Sequence, residues 1–539
     1  MPQPYRSQLL DHLGLVAGMF DELGIANVID RATQQDPGRR LVTVGHAVKA
    51  MVLNGLGFVN QPLYLVPMFF HNKPTQRLIA PGIEAMHLND DTLGRALETL
   101  YDYGVTALYS LLATTAAPRL GLTPTFAHLD STSFHVDGRY NSAEEPDAHV
   151  IHITRGYSRD HRPDLNQVML DLIVEHQAGI PWLMHPLSGN TSDAIDFRHV
   201  VTEHIAQLHA TYGTTYLVAD SALYNEENLP QLTHTRSKWI TRVPATVREA
   251  QAALADADPA TMVPLMEGYR AQVRTSTYGG VAQRWALIYS EHRRPQAQGT
   301  VDKHLFKQRT AEVKAFQKLA RTVFACEADA QQALAPFAQG LQATNLHEVS
   351  IQPTRRYAKP GRPGKASMPD AQGYHLAGAL ASSLAARDAL VAQHSCFILA
   401  TNELDAGALS PQALLAGYKG QKHAERGFRF LKDPLLLASS LYLKKPQRSM
   451  ALLMVMTVCW LVYAALEYRI RTALNAQQAT FPDQKGRPIQ NPTARWVFRY
   501  FVGIHLLLRP GEGPLILNLT ETHEHLLRLL GQPYKAFYS

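Results

Sequence analysis

Apolar residues recur at helical spacing through the first 122 positions of this chain, for example in VGHAVKAMVLNGLGF (44–58) and DDTLGRALETLYDYGV (90–105). The second segment follows Asn89, which with Asp90 and Asp91 provides N-cap chemistry, and it repeats Leu93, Leu97 and Leu100 along one helical face. The texture changes near Pro124. TFAHLDSTSFHV (125–136), NQVMLDLIVEHQ (166–177) and IPWLMHPLS (180–188) read as strands, and a charged loop separates the first from the second. A helix at 196–210, the strand TYLVAD (215–220), a short helix and the strand KWITRVP (238–244) follow. Farther on, 269–290 reads as a hairpin around Gly279-Gly280 and 303–322 as a charged helix with an apolar seam. A strand returns at 395–404, then a helix from Ser410 to Lys432, then the apolar run 451–466 and a tail that reads as mainly helical.

Three strands able to form a meander, followed by alternating helix and strand, match the element order of an RNase H-like α/β core. The expected division is a helical N-terminal domain (1–122), a first core part (123–245), an insertion (246–392), a second core part (393–476) and a C-terminal helical region (477–539). The short helix, polar turn and capped second helix of the N-terminal segment suit a DNA-reading helix-turn-helix, with a plain helical bundle as the competing reading. Within the insertion, RRYAKPGRPGK (355–365) carries five cations and no acid. It reads as a flexible basic linker, with an AT-hook-like Gly361-Arg362-Pro363 as the sharper alternative.

Composition narrows the class. Of 539 residues, 46% are hydrophobic and 18% charged, enough to fill a core. The net charge of +6 permits a polyanionic partner without requiring one. Cys326, Cys396 and Cys459 stand far apart with no CxxC pair, which excludes a disulfide framework and fits reduced cytoplasmic thiols. The N-terminus has no long apolar stretch of a secretory signal. The run 451–466 imitates a membrane span, but a span needs about 20 residues, and Glu467 and Arg469 follow at once. It is expected to be a core helix in a protein that does not enter the membrane.

Three acids stand out by context. Asp130 interrupts an apolar strand, Asp220 ends another, and Glu425 lies on the helix after the returning strand. Strand-end acids project where α/β sites form. If 410–432 is one helix at about 100° per residue, then relative to Tyr418 the side chain of Gln421 falls at about −60°, Glu425 about −20° and Lys432 about −40°. Lys422 falls at about +40° and Arg429 about +20°. One face would then carry a carboxylate, a phenol, an amide and three cations. A solvated helix face with i,i+4 pairing is the competing reading. Carboxylate oxygens on two strands and a helix suit Mg²⁺ or Mn²⁺, two of which can promote in-line phosphoryl displacement.

The segment from Tyr418 through Gln421 and Glu425 to Lys432 resembles the Y-x2-R-x3-E-x6-K signature of bacterial insertion-sequence DDE transposases, the YREK group. Gln421 stands where that pattern has Arg. HLDST around Asp130 and VADSALY around Asp220 resemble the first and second Asp motifs, and the acids are separated by 90 and 205 residues. The resemblance implies an RNase H-like core with a mixed five-stranded sheet, interrupted by an insertion domain. It makes Asp130, Asp220 and Glu425 the ligands of two Mg²⁺ or Mn²⁺ ions. Tyr418 and Lys432 would contact phosphates at a transposon end, with Lys422 or Arg429 compensating for Gln421. The implied partners are double-stranded DNA, both terminal inverted repeats and target, and a second copy of the chain during synapsis. Competing readings are an RNase H-like nuclease or resolvase without strand transfer, a silent transposase-derived DNA-binding protein, and an enzyme unrelated to nucleic acid. Asp160, Asp164, Asp171 and Asp193 are rival acids read as loop, strand or cap residues. His128, His135 and His423 are assigned to packing or phosphate contact, and Trp239 to the core.

Overall fold

The computed structural model describes residues 5–34, 40–59, 62–123, 125–136, 150–158, 162–191, 216–234, 237–356, 371–436, 443 and 445–539. The chain divides into two compact units. The first comprises 1–241, 278–281 and 413–539; the second comprises 242–277 and 282–412. Both mix helices and sheet. The helix expected at 196–210, Asp160, Asp193 and most of the basic segment 355–365 lie outside the described residues.

The first unit holds strands β1 (Phe126–Val136), β2 (Asn166–Glu175), β3 (Pro181–Ser188), β4 (Tyr216–Ala219) and β5 (Lys238–Arg242), in the order β3-β2-β1-β4-β5. β2 pairs antiparallel with both β1 and β3, while β4 runs parallel to β1 and to β5. Nine of the ten β2 residues are buried, so its apolar run is nearly continuous rather than alternating, as expected for a strand covered on both faces. One cover is helix α1 (Val105–Arg119). Its Tyr109 hydroxyl donates to the Pro181 carbonyl at 2.8 Å, and its Thr106 Oγ1 lies 3.4 Å from His185 Nδ1. The opposite cover is the pair α2 (Pro411–Lys419) and α3 (Lys422–Leu431), described below.

The apolar run 451–466 lies inside a 31-residue helix, α4 (Pro446–Ala476). Length and composition alone would let it cross a membrane, but 94% of its most apolar window is buried inside the protein. A helix that is apolar all round requires neighbours all round. Helices Leu13–Glu22, Val44–Leu56, Asp90–Tyr103 and Glu521–Leu530 supply them, together with α1 and α3. Both chain ends therefore share one core instead of forming the separate domains 1–122 and 477–539. The tail is also less helical than its pattern predicts: His505–Leu508 pairs with Arg6–Leu9 on one side and with Leu515–Leu517 on the other. All residues of Val44–Leu56 except His46 are buried, whereas Asp90, Asp91, Arg95, Asp102 and Tyr103 on the Asn89-capped helix are exposed.

In the second unit, Cys396–Thr401, Val281–Ser290, Tyr269–Tyr278 and Val263–Met266 form neighbouring strands in that order. The hairpin turns at Gly279 and Gly280, whose φ of +58° and +72° require glycine. Cys396–Thr401 pairs antiparallel with Val281–Ser290. That pairing draws the returning strand into the second unit, so the boundary falls between 412 and 413 and not at 392. The second unit also holds the helix Arg248–Ala255, the long helix Arg294–Ala320, the helices Glu327–Gln339 and Leu384–His394, and a two-stranded arm, Thr344–Arg356 with Ala371–Ser382.

Candidate active site

The parallel register of β1 and β4 ends at Leu129↔Ala219. Asp130 and Asp220 are the next residues, and Asp220 keeps an extended backbone (φ −72°, ψ −174°) before the chain turns into a short 3-10 helix. The two acids thus occupy adjacent positions where β4 stops and the edge of β1 opens. This is the carboxyl-end crevice in which α/β sheets place ligands. Backbone groups orient both side chains. Asp130 Oδ1 accepts from Ser131 N at 2.9 Å, and Asp220 Oδ1 caps the 3-10 helix by accepting from Ala222 N at 2.9 Å. The buried Thr241 hydroxyl on β5 donates to the Asp220 carbonyl at 2.6 Å, tying the turn to the next strand.

Residues of alternate parity on β1 face opposite sides of the sheet. Phe126, His128 and Asp130 share one face, and glycines bring helices onto it. A Cβ at Gly417 would meet Phe126 Cε1 at 2.7 Å, and one at Gly420 would meet His128 Nε2 at 2.6 Å. On the next helix, a Cβ at Gly427 would meet Trp460 Cζ2 at 1.7 Å. Only glycine lets α2 lie this close to β1, and α3 this close to α4. Asp171 belongs to the other face: it is buried and registers with Ser131 and His185, which removes it as a rival to Asp130.

The helix expected from Ser410 to Lys432 is interrupted. α2 ends at Lys419 and α3 begins at Lys422, with tightened bonds from Gln421 N to the Tyr418 carbonyl (3.2 Å) and from His423 N to the Gly420 carbonyl (2.9 Å). The single wheel drawn from Tyr418 therefore fails across the junction. Tyr418 sits on α2, Gln421 occupies the N-cap of α3, and Lys432 follows the last helical residue. On α3 itself, Lys422, Glu425 and Arg429 still share a face about 60° wide, and all three are exposed. α3 packs against β1 and β2, so Glu425 is carried by a helix lying on the sheet.

An anchor that the sequence reading missed holds α3 in place. Glu467, buried on α4, accepts from Arg426 Nη2 at 2.7 Å, from Arg471 Nη2 at 2.8 Å and from Ala494 N at 2.9 Å. Asp433, just beyond α3, pairs with Arg495. Glu467, Arg426, Asp433 and Arg495 line a cavity of about 350 Å³ with His423, Arg429, Phe430 and Tyr463. Burial and the neighbouring Glu467 push the Tyr463 phenol up to about 12. The Glu467–Arg471 i,i+4 spacing was visible in the sequence, but its extension to Arg426 and Ala494 depends on tertiary packing.

Three histidines meet beneath the junction. His128 is fully buried, and neither ring nitrogen has a hydrogen-bond partner among the described residues. Burial lowers it to about 3, with further repulsion from His423 and His176. His423 and His176 are also lowered, chiefly by burial, and His176 Nδ1 accepts from Phe126 N at 3.4 Å. Burial favours the neutral form of all three rings; His176 was not singled out from sequence. His135 Nε2 lies 2.8 Å from Ser158 Oγ, Trp239 is fully buried, and Asp164 is exposed in a bidentate pair with Arg162.

Asp130 and Asp220 offer the oxygen donors that a hard divalent cation prefers. Among the described residues, no three or more His, Cys, Asp and Glu side chains gather closely enough to hold a metal ion. The carboxylate pair fits such an ion in donor type, and Glu425 is not drawn in to complete a cluster.

Residues 5–114 match the family model of a domain of unknown function, DUF4277. No curated protein matches the chain. The cryo-EM structure of a piggyBac transposase synaptic complex with hairpin DNA is similar at a TM-score of 0.37 and 8% identity, covering 93% of this chain and 82% of that one.

Proposed function

We propose that the chain is a DDE transposase of the insertion-sequence YREK group, which cleaves transposon ends and joins their 3′-OH groups to target DNA. The observation that carries this reading is the adjacency of Asp130 and Asp220 at the end of a parallel strand pair in the order β3-β2-β1-β4-β5, with the Glu425 helix on the same sheet. That order, antiparallel on one side of β1 and parallel on the other, supports an RNase H-like core. Asp130 and Asp220 would hold the divalent ions, with Glu425 completing the set. When bound, Mg²⁺ or Mn²⁺ would supply an activated oxygen nucleophile and charge stabilisation at the leaving oxygen. Lys422 and Arg429, exposed beside Glu425, would hold phosphates, and Tyr418 and Lys432 would contact the DNA end. Gln421 can donate a hydrogen bond but supplies neither charge nor a bidentate fork.

A strand-transfer assay on the DNA flanking the gene, with Mg²⁺ or Mn²⁺, tests this. Joined products made by the wild type and absent with Glu425→Gln or Asp130→Asn, at unchanged melting temperature, are the expected result. Cleavage without joining would make the protein a nuclease or resolvase. Binding of the flanking repeats without cutting would make it a silent DNA-binding protein.

A further inference from the structure

The helix Arg294–Ala320 in the second unit has two dissimilar sides. Ala297, Val301 and Phe316 are buried, and Leu305 packs partly against the same core. On the opposite side, at about 100° per residue from Lys303, Lys307 falls at about +40°, Lys314 about +20°, Lys318 about +60° and Arg321 about 0°. Arg321 retains helical φ and ψ at the C-cap, so it continues the same spiral. All five cations are exposed. They form a row about 27 Å long at 1.5 Å per residue. The helix has two acids, and both point away. Asp302 is engaged by Arg387 at 2.7 and 3.1 Å, and Glu312 accepts from Thr344 Oγ1 at 2.6 Å and from the amides of Gln342 and Ala343.

We propose that this lysine row is a binding surface for the sugar-phosphate backbone of duplex DNA, distinct from the carboxylate site and from the basic segment 355–365. The partner follows from the chemistry. A duplex presents one phosphate per about 1.7 Å of axis, so a 27 Å row of fixed cations meets anions in any register. Lysine is depleted from the cores of protein–protein interfaces, and among the described residues of this helix the exposed large apolar side chain is Phe306. Binding at this row does not read sequence, because phosphate contacts carry no base information. The inference extends the transposase reading by giving the second unit its own contact with DNA.

The test is the binding of the full-length protein to a duplex of unrelated sequence across a salt series. Wild type is compared with the combined Lys303→Gln, Lys307→Gln, Lys314→Gln, Lys318→Gln variant. Gln keeps helix propensity, and the replaced groups are solvent-facing, so the melting temperature should not change. The expected result is binding weakened by about tenfold or more near physiological salt, with the slope of log K against log salt reduced by about 3 to 4. Unchanged affinity and slope would overturn the proposal, as would loss of binding to poly-glutamate alone, which would assign the row to an acidic protein. If strand transfer fails in the wild type while the slope still drops in the variant, the transposase reading falls and the row stands.

Discussion

The strand pair that carries Asp130 and Asp220 and the helix pair that leads to Glu425 reach the same sheet by different means. On the strands, backbone pairing places the acids. The β1–β4 register leads directly to both positions, and each carboxylate then accepts a nearby amide. On the helices, side-chain absence and burial do the placing. Gly417, Gly420 and Gly427 open the space, and Glu467 fastens Arg426. A ladder of backbone bonds tolerates side-chain change, whereas close packing at three glycines does not. The helical half of the candidate site is therefore the more fragile half.

The strongest way to break this contrast is Gly427→Val. Added methyls would overlap the Trp460 ring, and an overpacked core typically costs about 1–3 kcal/mol or more. The melting temperature is expected to fall by several degrees and any DNA cutting to disappear. A stable, active variant would show that α3 is not held by this contact. Next is Glu467→Ala, which leaves Arg426 and Arg471 without their shared carboxylate. Both guanidiniums keep some solvent, so the loss is expected near 2 kcal/mol, below that of a fully buried pair. Chemical denaturation would measure it, and Arg426→Ala in the same background should add little.

Acidification loads the same junction. His128, His176 and His423 are held neutral in the fold, with values below the ordinary 6.5. The unfolded chain then binds more protons below about pH 6.5, so stability is complete above that pH and declines as pH falls toward the folded value of about 3 for His128. Denaturation midpoints at pH 7 and pH 5 should differ in the wild type. The difference should shrink in His128→Phe, which removes a buried ring whose nitrogens have no hydrogen-bond partner among the described residues. An identical pH response in the two proteins would relocate the acid sensitivity. The smallest effect is expected on the strand side: Thr241→Val removes one bond to the Asp220 carbonyl, a loss of about 1 kcal/mol. A melting shift as large as that of Gly427→Val would erase the distinction between backbone-held and packing-held acids.

Much of the fold was legible because strands in a covered sheet announce themselves as apolar runs. Those at 125–136, 166–177 and 180–188 lie within two residues of the observed β1, β2 and β3. The helix-junction error has a clear origin. Periodicity through Gly420 and Gln421 continues the helical pattern, and nothing local in the sequence shows that Gly420 lies against His128 where the two helices meet. The domain error has another origin: an apolar helix such as 446–476 does not say which segments surround it, and here both ends of the chain do.

Sequence by itself determined the strand segments β1 to β5 and the cationic helix of the second unit, and it pointed to the three acids. All of these follow from local composition and period. Tertiary structure alone decided that Asp130 and Asp220 are neighbours while Asp171 faces away, that the Glu425 helix is broken and fastened through Glu467, and that 395–404 belongs to the second unit. These are relations between residues far apart in the chain. They are set by pairing register and by the volume available between packed surfaces, neither of which a local pattern encodes.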